Sequence, residues 1–378
     1  MYLLNEDQRL FVDQVRKMVS EKVAPRAEEI DKKGEFPWDL KEVFQEMGLL
    51  GLSVPEAYGG CSQGHLYLCL AVEEIARACA SSSLIVQVQS LGWEPILIGG
   101  SEEQKKKYGP RVASGAGITA YGLTEPGAGS DAAAMNTKAE KKGDKYIING
   151  SKCFISNGPI ADIVSLFAMT DTSKGVKGIS AFIVEKDFPG FSVAKWESKM
   201  GIKGSPTGEL VFEDMGVPVE NLIGDEGKGF IYAMQTLDTS RPVIAAQAVG
   251  IAQGALDLAI QYSKERVQFG RPISKFQGLS WMLADMAAQI EAARALTYQA
   301  ADMIDVQDPR RTYMSACCKM FASDVAMKIA TEALQVAGGY GYMTEFPFER
   351  MMRDAKITQI YEGTNQIQKL VISRELLK

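Results

Sequence analysis

The sequence of 378 residues contains a single histidine, His65. Zinc and non-haem iron sites usually need several histidines, so multi-histidine metal sites are excluded and we expect no bound metal. A Ser-His-Asp triad would depend on His65 alone. That residue lies in a glycine-rich connection, residues 59–66, where a surface or packing role is the simpler interpretation. Any proton transfer is therefore sought among the carboxylates.

Clustered basic residues, long apolar runs and paired cysteines are also scarce. The 41 Lys and Arg are outnumbered by 47 Asp and Glu, and the one basic run, residues 105–107, follows a helix-capping pattern that begins at Ser101. Nucleic-acid binding needs clustered basic side chains and is excluded on this ground. No apolar run approaches the roughly 20 residues of a membrane span. The six cysteines have no C-x-x-C spacing, so we expect a reduced, cytoplasmic protein.

The chain does contain three stretches of different periodicity. Apolar residues first recur at helical spacing, short β-branched and aromatic runs separated by turn signals follow, and long helical patterns then return. We therefore predict an α+β multidomain protein with an N-terminal α-helical domain (1–117), a middle antiparallel β-domain (118–225) and a C-terminal helical bundle (226–378). Pro242 is expected to break or restart a helix near Arg241.

Residues 124–131, Thr-Glu-Pro-Gly-Ala-Gly-Ser-Asp, form a glycine-rich segment between two β-like runs. With Ala132 the segment matches the dinucleotide fingerprint G-x-G-x-x-A, but no crossover helix follows, so a Rossmann site is disfavoured. Its unhindered N–H groups and its hydroxyls could approach a planar ring or a phosphate. The alternative is an ordinary turn that closes a strand.

A second candidate is Glu362, which stands at a helix break beside Gly363. Its apolar neighbours would exclude water, raise the pKa of the carboxyl and make it a base near neutral pH. A solvated turn glutamate is an equal alternative. Two further stretches, residues 266–271 and 335–342, are either ligand-facing backbone or ordinary helix ends.

Six segments together carry a resemblance to a known family. They are residues 121–131, 154–158, 237–242, 265–270, 335–339 and 360–366. In this order and at these intervals they resemble the acyl-CoA dehydrogenase family, and the similarity covers essentially the entire chain. The resemblance implies an N-terminal helical domain, a middle β-domain and a C-terminal four-helix bundle, usually assembled as a homotetramer.

The resemblance also implies FAD bound between the β-domain and the C-terminal bundle, partly by a neighbouring subunit. The isoalloxazine side would be lined by Tyr121, Leu123, Thr124, Gly129, Ser130, Phe154, Ile155 and Ser156. The pyrophosphate and adenine would meet Arg266, Gln268, Phe269, Phe276, Gln277, Gln335 and Gly339. The cofactor site would be completed by Thr364 and Gln366, and the CoA thioester would be contacted by Ser130, Asp238, Arg241 and Gly363.

By the same resemblance, Glu362 removes the α-proton of the thioester and the flavin accepts a hydride from the β-carbon, which gives a trans-2-enoyl-CoA. Some members carry the base at the position that matches Ser240. Serine cannot serve as that carboxylate, which supports Glu362. Ser82 stands where glutaryl-type relatives have an arginine, so a monocarboxylic acyl group is favoured.

The implied function is dehydrogenation of a short- or medium-chain acyl-CoA, with electrons passed to an electron-transferring flavoprotein. The alternatives are a dehydrogenase of a cyclic or aryl-substituted acyl-CoA and a catalytically silent CoA-binding member. Trp93 either shortens the acyl pocket or packs in the core. Glu94 is expected to face solvent.

Overall fold

The computed structural model describes residues 3–378. The helices within this range are α1 (Glu6–Met18), α2 (Ala27–Lys33), α3 (Trp38–Glu46), α4 (Gly64–Ala78), α5 (Ala80–Gly99), α6 (Glu102–Ala113), α7 (Gly229–Glu265), α8 (Gln277–Asp305), α9 (Arg311–Ala337), α10 (Phe348–Thr358) and α11 (Asn365–Leu376). The strands are β1 (Thr119–Gly122), β2 (Lys138–Lys142), β3 (Lys145–Ser156), β4 (Ile163–Met169), β5 (Ile179–Glu185), β6 (Phe191–Trp196), β7 (Thr207–Pro218), β8 (Leu222–Ile223), β9 (Val267–Gln268) and β10 (Arg271–Pro272). The predicted α, then β, then α order is confirmed.

The N-terminal helices begin where local chemistry favours a helix start. The side chain of Asn5 accepts a hydrogen bond from the N–H of Gln8 at α1, and that of Ser101 does the same for Gln104 at α6. Each glutamine side chain returns a bond to the cap residue, so both helix starts are capping boxes. Helix α5 is different, because its residues are buried almost throughout and it packs against α4, α7 and β1.

The middle domain is an eight-stranded mixed sheet rather than a wholly antiparallel one. Its strand order is β6-β7-β3-β2-β4-β5-β8, and β1 pairs with β4. Most neighbours are antiparallel, but β1 runs parallel to β4, with Thr119 opposite Ile163, and β2 meets β4 in parallel at one position. The β2–β3 hairpin separates β1 from β4 along the chain, and such an intervening segment permits parallel pairing.

The sheet is joined tightly to α5. The Oγ1 of Thr119 donates to the carbonyls of Val88 and Gln89, and the Oγ of Ser165 donates to the carbonyl of Gly92. A Cβ at Gly92 would lie 2.5 Å from the Thr119 side chain, so glycine is required for this close approach. These bonds place one face of α5 against β1, beside the residues of the site described below.

The C-terminal bundle contains α7, α8 and α9, against which α10 and α11 pack. Helix α7 also contacts α4 and α5, so it links the bundle to the N-terminal domain. Among the described residues, α7 is the one helix long and apolar enough to cross a membrane, but 78% of its apolar window is buried inside the fold. Burial of this kind is typical of a core helix.

Helix α7 continues through Pro242, so the predicted break near Arg241 is wrong. Proline removes one backbone hydrogen bond from the preceding turn, at a cost of about 3 kcal/mol. The hydroxyls of Thr239 and Ser240 bond to carbonyls one turn earlier, and the turns after Pro242 are buried almost completely. Tertiary packing of α7 therefore outweighs the local effect of the proline.

Candidate active site

Glu362 lies in the short connection between α10 and α11. Its φ is +51°, in the left-handed region, and Gly363 follows with φ +91°. The side chain of Thr364 then accepts a hydrogen bond from the N–H of Ile367 and starts α11. The predicted helix break is therefore a tight reversal that projects Glu362 from between two helices.

The carboxyl group of Glu362 is shielded from water. Its Oε2 is buried and has no hydrogen-bond partner among the described residues. Burial raises the pKa of Glu362, while the neighbouring side chains of Ser240 and Gln87 and the positive charges of Lys319 and Arg241 oppose that rise. The structure thus favours a buried carboxyl over a solvated turn glutamate, and a raised pKa suits a general base.

The backbone around Glu362 is held by two buried side chains. The Nζ of Lys319 donates to the carbonyl of Gly363 at 2.7 Å and to Oδ1 of Asn365 at 3.1 Å. The Nε2 of Gln368 donates to the carbonyls of Glu362, at 3.2 Å, and Gly363, at 2.8 Å. Because both carbonyls of the reversal are bonded, its unusual conformation is fixed from α9 and α11.

Arg241 and Asp238, two predicted substrate contacts, form an ion pair on α7 in which Arg241 is buried and Asp238 is half-buried. One guanidinium nitrogen of Arg241 donates to Asp238 at 2.7 Å, and Thr312 donates to the other carboxylate oxygen at 2.6 Å. The Nε of Arg241 is buried without a partner among the described residues. Asp238 therefore supports Arg241, and the Nε–H of Arg241 remains available to a ligand.

Tyr121 approaches the same place from β1, and Leu123 follows the end of that strand. The hydroxyl of Tyr121 donates to the carbonyl of Ala233, and burial followed by the charge of Glu362 raises the pKa of Tyr121. Leu123 is buried in the core between α5 and the sheet. The structure thus brings β1, α5, α7 and α9 together around Glu362.

The glycine-rich segment 124–131 is held by hydrogen bonds to Glu125 on one side, and its surface at Gly129 and Ser130 is open. Glu125 accepts from the N–H groups of Asn136 and Thr137 and from the buried Nζ of Lys152, at 2.7 Å. A Cβ at Gly129 would meet no atom within 4 Å, and Ser130 is exposed. The segment leads into β2 without a crossover helix, which agrees with the rejection of a Rossmann site.

The three predicted residues of β3 have different orientations. Phe154 has φ +57° at an irregularity in the β3–β7 pairing, and its side chain is 66% exposed. Ser156 is half-buried, whereas the side chain of Ile155 lies in the core of the sheet. A contact between Ile155 and a flavin would therefore be made by main-chain atoms.

The remaining predicted cofactor residues form a second group at the other end of the bundle. Arg266, Gln268 and Gly339 line a cleft of about 510 Å³, and the Arg266 guanidinium lies 5.5 Å from the ring centre of Tyr340. In the same region Phe269 is 92% exposed and contacts Phe276, and the side chains of Gln277 and Gln335 are exposed. Along α9, Gln335 is about 24 Å from Lys319, so these residues are remote from Glu362 in the same chain.

Of the two predicted residues that follow the base, Thr364 is half-buried and Gln366 is exposed.

Trp93 and Glu94, neighbours on α5, are both buried. Trp93 is completely buried and packs edge-on against Tyr58, so it belongs to the core. Glu94 is 3% exposed, and one of its oxygens lies 3.5 Å from Nε2 of His65, whose Nδ1 is 2.8 Å from Asp305. The prediction that Glu94 faces solvent is wrong, because α5 is buried on all sides and the glutamate is paired there with the only histidine.

Sequence reasoning missed Lys319 and Gln87. A signal for Lys319 exists, because it occupies the inward stripe of α9 shared with small residues such as Ser315 and Ala322. Gln87 gives no comparable signal, since α5 is buried around its whole circumference and carries several other buried polar residues, such as Gln89 and Ser90. The hydroxyl of Tyr361 bonds to Gln247, which completes a polar lining on the side of Glu362 that faces α5 and α7.

These residues fit the flavin that the resemblance implies. Glu362 and Arg241 present buried polar atoms without partners, which is expected where a ligand supplies them. The open surface at Gly129 and the exposed ring of Phe154 offer backbone and an aromatic face to a planar group. The exposed second group, remote from Glu362, suits contacts made across a subunit boundary.

Three family models match consecutive parts of the chain. They are the acyl-CoA dehydrogenase N-terminal domain at residues 5–116, the middle domain at residues 120–215 and the C-terminal domain at residues 227–377. Together they span nearly the whole sequence.

Two curated relatives cover 99% of this chain and are matched over 99% of their own length. A cyclohex-1-ene-1-carbonyl-CoA dehydrogenase of Geobacter metallireducens is 51% identical over 375 residues. A short-chain specific acyl-CoA dehydrogenase of Clostridium acetobutylicum is 51% identical over 376 residues.

Two solved structures match the complete chain over their complete length. Butyryl-CoA dehydrogenase from Megasphaera elsdenii has a TM-score of 0.97 and 48% identity. A chain from a structure described as the electron transferring flavoprotein of Acidaminococcus fermentans has a TM-score of 0.98 and 51% identity.

Proposed function

This chain belongs to the acyl-CoA dehydrogenase family, and we propose that it oxidises a short- or medium-chain, monocarboxylic acyl-CoA to the trans-2-enoyl-CoA. The family consists of FAD-dependent enzymes that act on the CH–CH bond of acyl-CoA thioesters. The observation that carries the proposal is the shielded carboxyl of Glu362, which faces polar and cationic side chains from three helices.

Glu362 is the proposed base for the α-proton of the thioester. Burial raises its pKa, which makes the carboxylate a stronger base for a carbon-bound proton, while the charges of Lys319 and Arg241 oppose that rise and favour the ionised form. Ser240, the alternative position for the base, has its hydroxyl next to Glu362 and cannot take that role itself. A positioned general base contributes about a hundredfold to ten-thousandfold in rate.

FAD, when bound, supplies the acceptor for the hydride that leaves the β-carbon. We propose that Tyr121, Thr124, Ser130, Phe154 and Ser156 hold its ring portion, together with the other predicted residues of β1 and β3. The exposed group around Arg266 would hold the pyrophosphate and adenine of a cofactor bound mainly by another subunit. Apolar walls from α5 and β1 would exclude water from the reacting carbons.

The acyl pocket is proposed to lie between α5 and α7. Ser82 is completely buried on α5 and donates to Sγ of Cys79, so this position offers no cation to a terminal carboxylate. The packing of Trp93 in the core favours the interpretation that it does not shorten the pocket. Similarity to a short-chain specific acyl-CoA dehydrogenase and to a butyryl-CoA dehydrogenase supports a short acyl group.

A cyclic acyl group is the second candidate. Two relatives named cyclohex-1-ene-1-carbonyl-CoA dehydrogenase are 51% and 49% identical to this chain, and the short-chain relative is 51% identical. Either substrate would use Glu362 in the same way. A silent CoA-binding role is disfavoured, because it gives no reason to keep an ionisable group in a shielded position.

We also propose an electron-transferring flavoprotein as electron acceptor, a homotetrameric assembly and a cytoplasmic location. Similarity to a chain from a structure described as an electron transferring flavoprotein supports the first. The exposed aromatic residues Phe269, Trp281 and Tyr342 on the bundle support burial against further subunits.

The decisive experiment is anaerobic reduction of the purified holoenzyme by a panel of acyl-CoA thioesters. We expect the flavin absorbance to bleach with butyryl-CoA, less with octanoyl-CoA, and not with glutaryl-CoA, which is the matched control for a terminal carboxylate. Bleaching by cyclohex-1-ene-1-carbonyl-CoA alone would select the cyclic candidate. A protein that lacks flavin and cannot be reconstituted with FAD would refute the enzyme function.

A further inference from the structure

We propose that Lys319 is a positioning residue for the base: its hydrogen bonds to Gly363 and Asn365 fix the reversal at residues 362–365, and its positive charge, when present, favours the ionised carboxyl of Glu362. The proposal rests on the proposed function, since Glu362 must be the base for Lys319 to act through it. Lys319 itself is on α9 and is not expected to contact the acyl group.

The contacts of Lys319 are unusual for a lysine. It is completely buried, and two of its three ammonium protons point to neutral oxygens, the carbonyl of Gly363 and Oδ1 of Asn365. Among residues 3–378, no carboxylate oxygen lies within 4.0 Å of its Nζ, whereas the other fully buried lysine, Lys152, pairs directly with Glu125. A buried cation without a direct ion pair is costly, so its position calls for an explanation.

Asn365 makes the arrangement rigid. Its amide nitrogen donates to Ser323 and to Asp324, both on α9, and its oxygen also accepts from the Ser323 hydroxyl. Lys319 is therefore one corner of a network that connects α9 to the first residue of α11. The network ends on the carbonyl of Gly363 and so fixes the peptide between Gly363 and Thr364, while Gln368 bonds the carbonyl of Glu362 itself. Together these bonds hold the backbone that directs the Glu362 side chain.

The charges of Lys319 and Glu362 are coupled. Burial lowers the pKa of Lys319 to about 7, and among the nearby charges that of Glu362 opposes this most strongly. In return, the positive charge of Lys319 lowers the raised pKa of Glu362. The other charged or titratable groups that face the pair are Arg241 on α7, Tyr121 on β1, Tyr361 beside the base, and Cys318 and Asp324 on α9.

Two substitutions separate the charge from the hydrogen bonds. Lys319→Met removes both, and Lys319→Gln removes the charge but keeps a donor for the Gly363 carbonyl. We expect the acid limb of the pH dependence of kcat to move upward by about one pH unit in both variants. The plateau of kcat should fall about tenfold or more in Lys319→Met and less in Lys319→Gln. Lys328→Met, at an exposed position of α9, is the matched control and should leave both features unchanged.

A second readout does not depend on turnover. NMR titration of isotope-labelled glutamate carboxyls, with the Glu362 signal assigned by its loss in Glu362→Gln, should show a higher pKa for Glu362 in both Lys319 variants. This titration tests the coupling between Lys319 and Glu362 even if no acyl-CoA proves to be a substrate. A failure of the Lys319 proposal can therefore be told apart from a failure of the proposed function. If Lys319→Met does not fold, Lys319→Gln and Lys319→Arg carry the test, and only Lys319→Arg should keep the wild-type pKa. An unmoved acid limb together with an unmoved Glu362 titration would overturn the proposal.

Discussion

At the scale of single residues, Glu362 combines two unfavourable conditions, a left-handed backbone and a shielded carboxyl. A non-glycine residue in this region of φ is strained by about 1 to 3 kcal/mol, and the φ of +51° is retained because both carbonyls of the reversal are bonded. Strain and burial at one ionisable residue are typical of a catalytic group. Because the carboxyl is shielded, water cannot take over the contacts that the surrounding side chains make with it.

Replacing Glu362 by glutamine should remove the base and little else. The side chains are isosteric, so the fold and the bound FAD should be retained, while kcat falls about a hundredfold to ten-thousandfold. Steady-state turnover measures the loss, and the flavin absorbance per protein chain is the control. Turnover equal to that of the wild type would remove the assignment of Glu362.

At the scale of elements, His65 connects three helices. It lies near the start of α4, its ring nitrogens face Glu94 on α5 and Asp305 on α8, and its N–H also donates to Asp305. Burial alone lowers the pKa of His65, but the two carboxylates more than compensate and raise it to about 10. The imidazolium is therefore expected to stabilise the junction of the N-terminal domain with the bundle.

This coupling predicts a defined pH dependence of stability. A pKa raised from 6.5 to about 10 means that the stabilisation is complete below pH 6.5 and is lost as the pH rises through about 10. His65→Gln should lower the free energy of unfolding by about 2 kcal/mol at low pH, and the deficit should shrink toward pH 10. Urea unfolding midpoints measured across this range test it, with Lys17→Gln on the exposed face of α1 as control. A deficit that does not change with pH would contradict the charged state of His65.

At the scale of the whole molecule, the predicted cofactor residues do not converge within one chain. Tyr121 on β1 and Thr364 in the reversal lie near Glu362, whereas those around Arg266 and Phe269 lie at the far end of α9. Two separated half-sites and an exposed aromatic surface are what a symmetric assembly with shared cofactor sites requires. Assembly and FAD binding should therefore depend on each other.

Arg266→Ala tests this dependence. Loss of the guanidinium, which stacks on Tyr340 and lines the cleft, should lower the flavin content per chain or shift the proposed tetramer toward smaller species. Flavin absorbance and light scattering measure the two effects, and Arg310→Ala, a 71% exposed arginine, serves as control. If neither flavin content nor size changes, the shared-site arrangement is wrong.

The sequence by itself determined the order of helical and β parts and the helix start at Ser101, because these depend on residues close together in the chain. It marked Glu362 as a candidate, but left a base and a solvated turn glutamate as equal alternatives. Only the tertiary structure decided that α7 passes through Pro242, that β1 pairs in parallel with β4, and that Glu94 and Lys319 are buried. These outcomes depend on which surfaces pack opposite each element, and such contacts join residues far apart in sequence. Burial and pairing of charges therefore could not be read from local pattern.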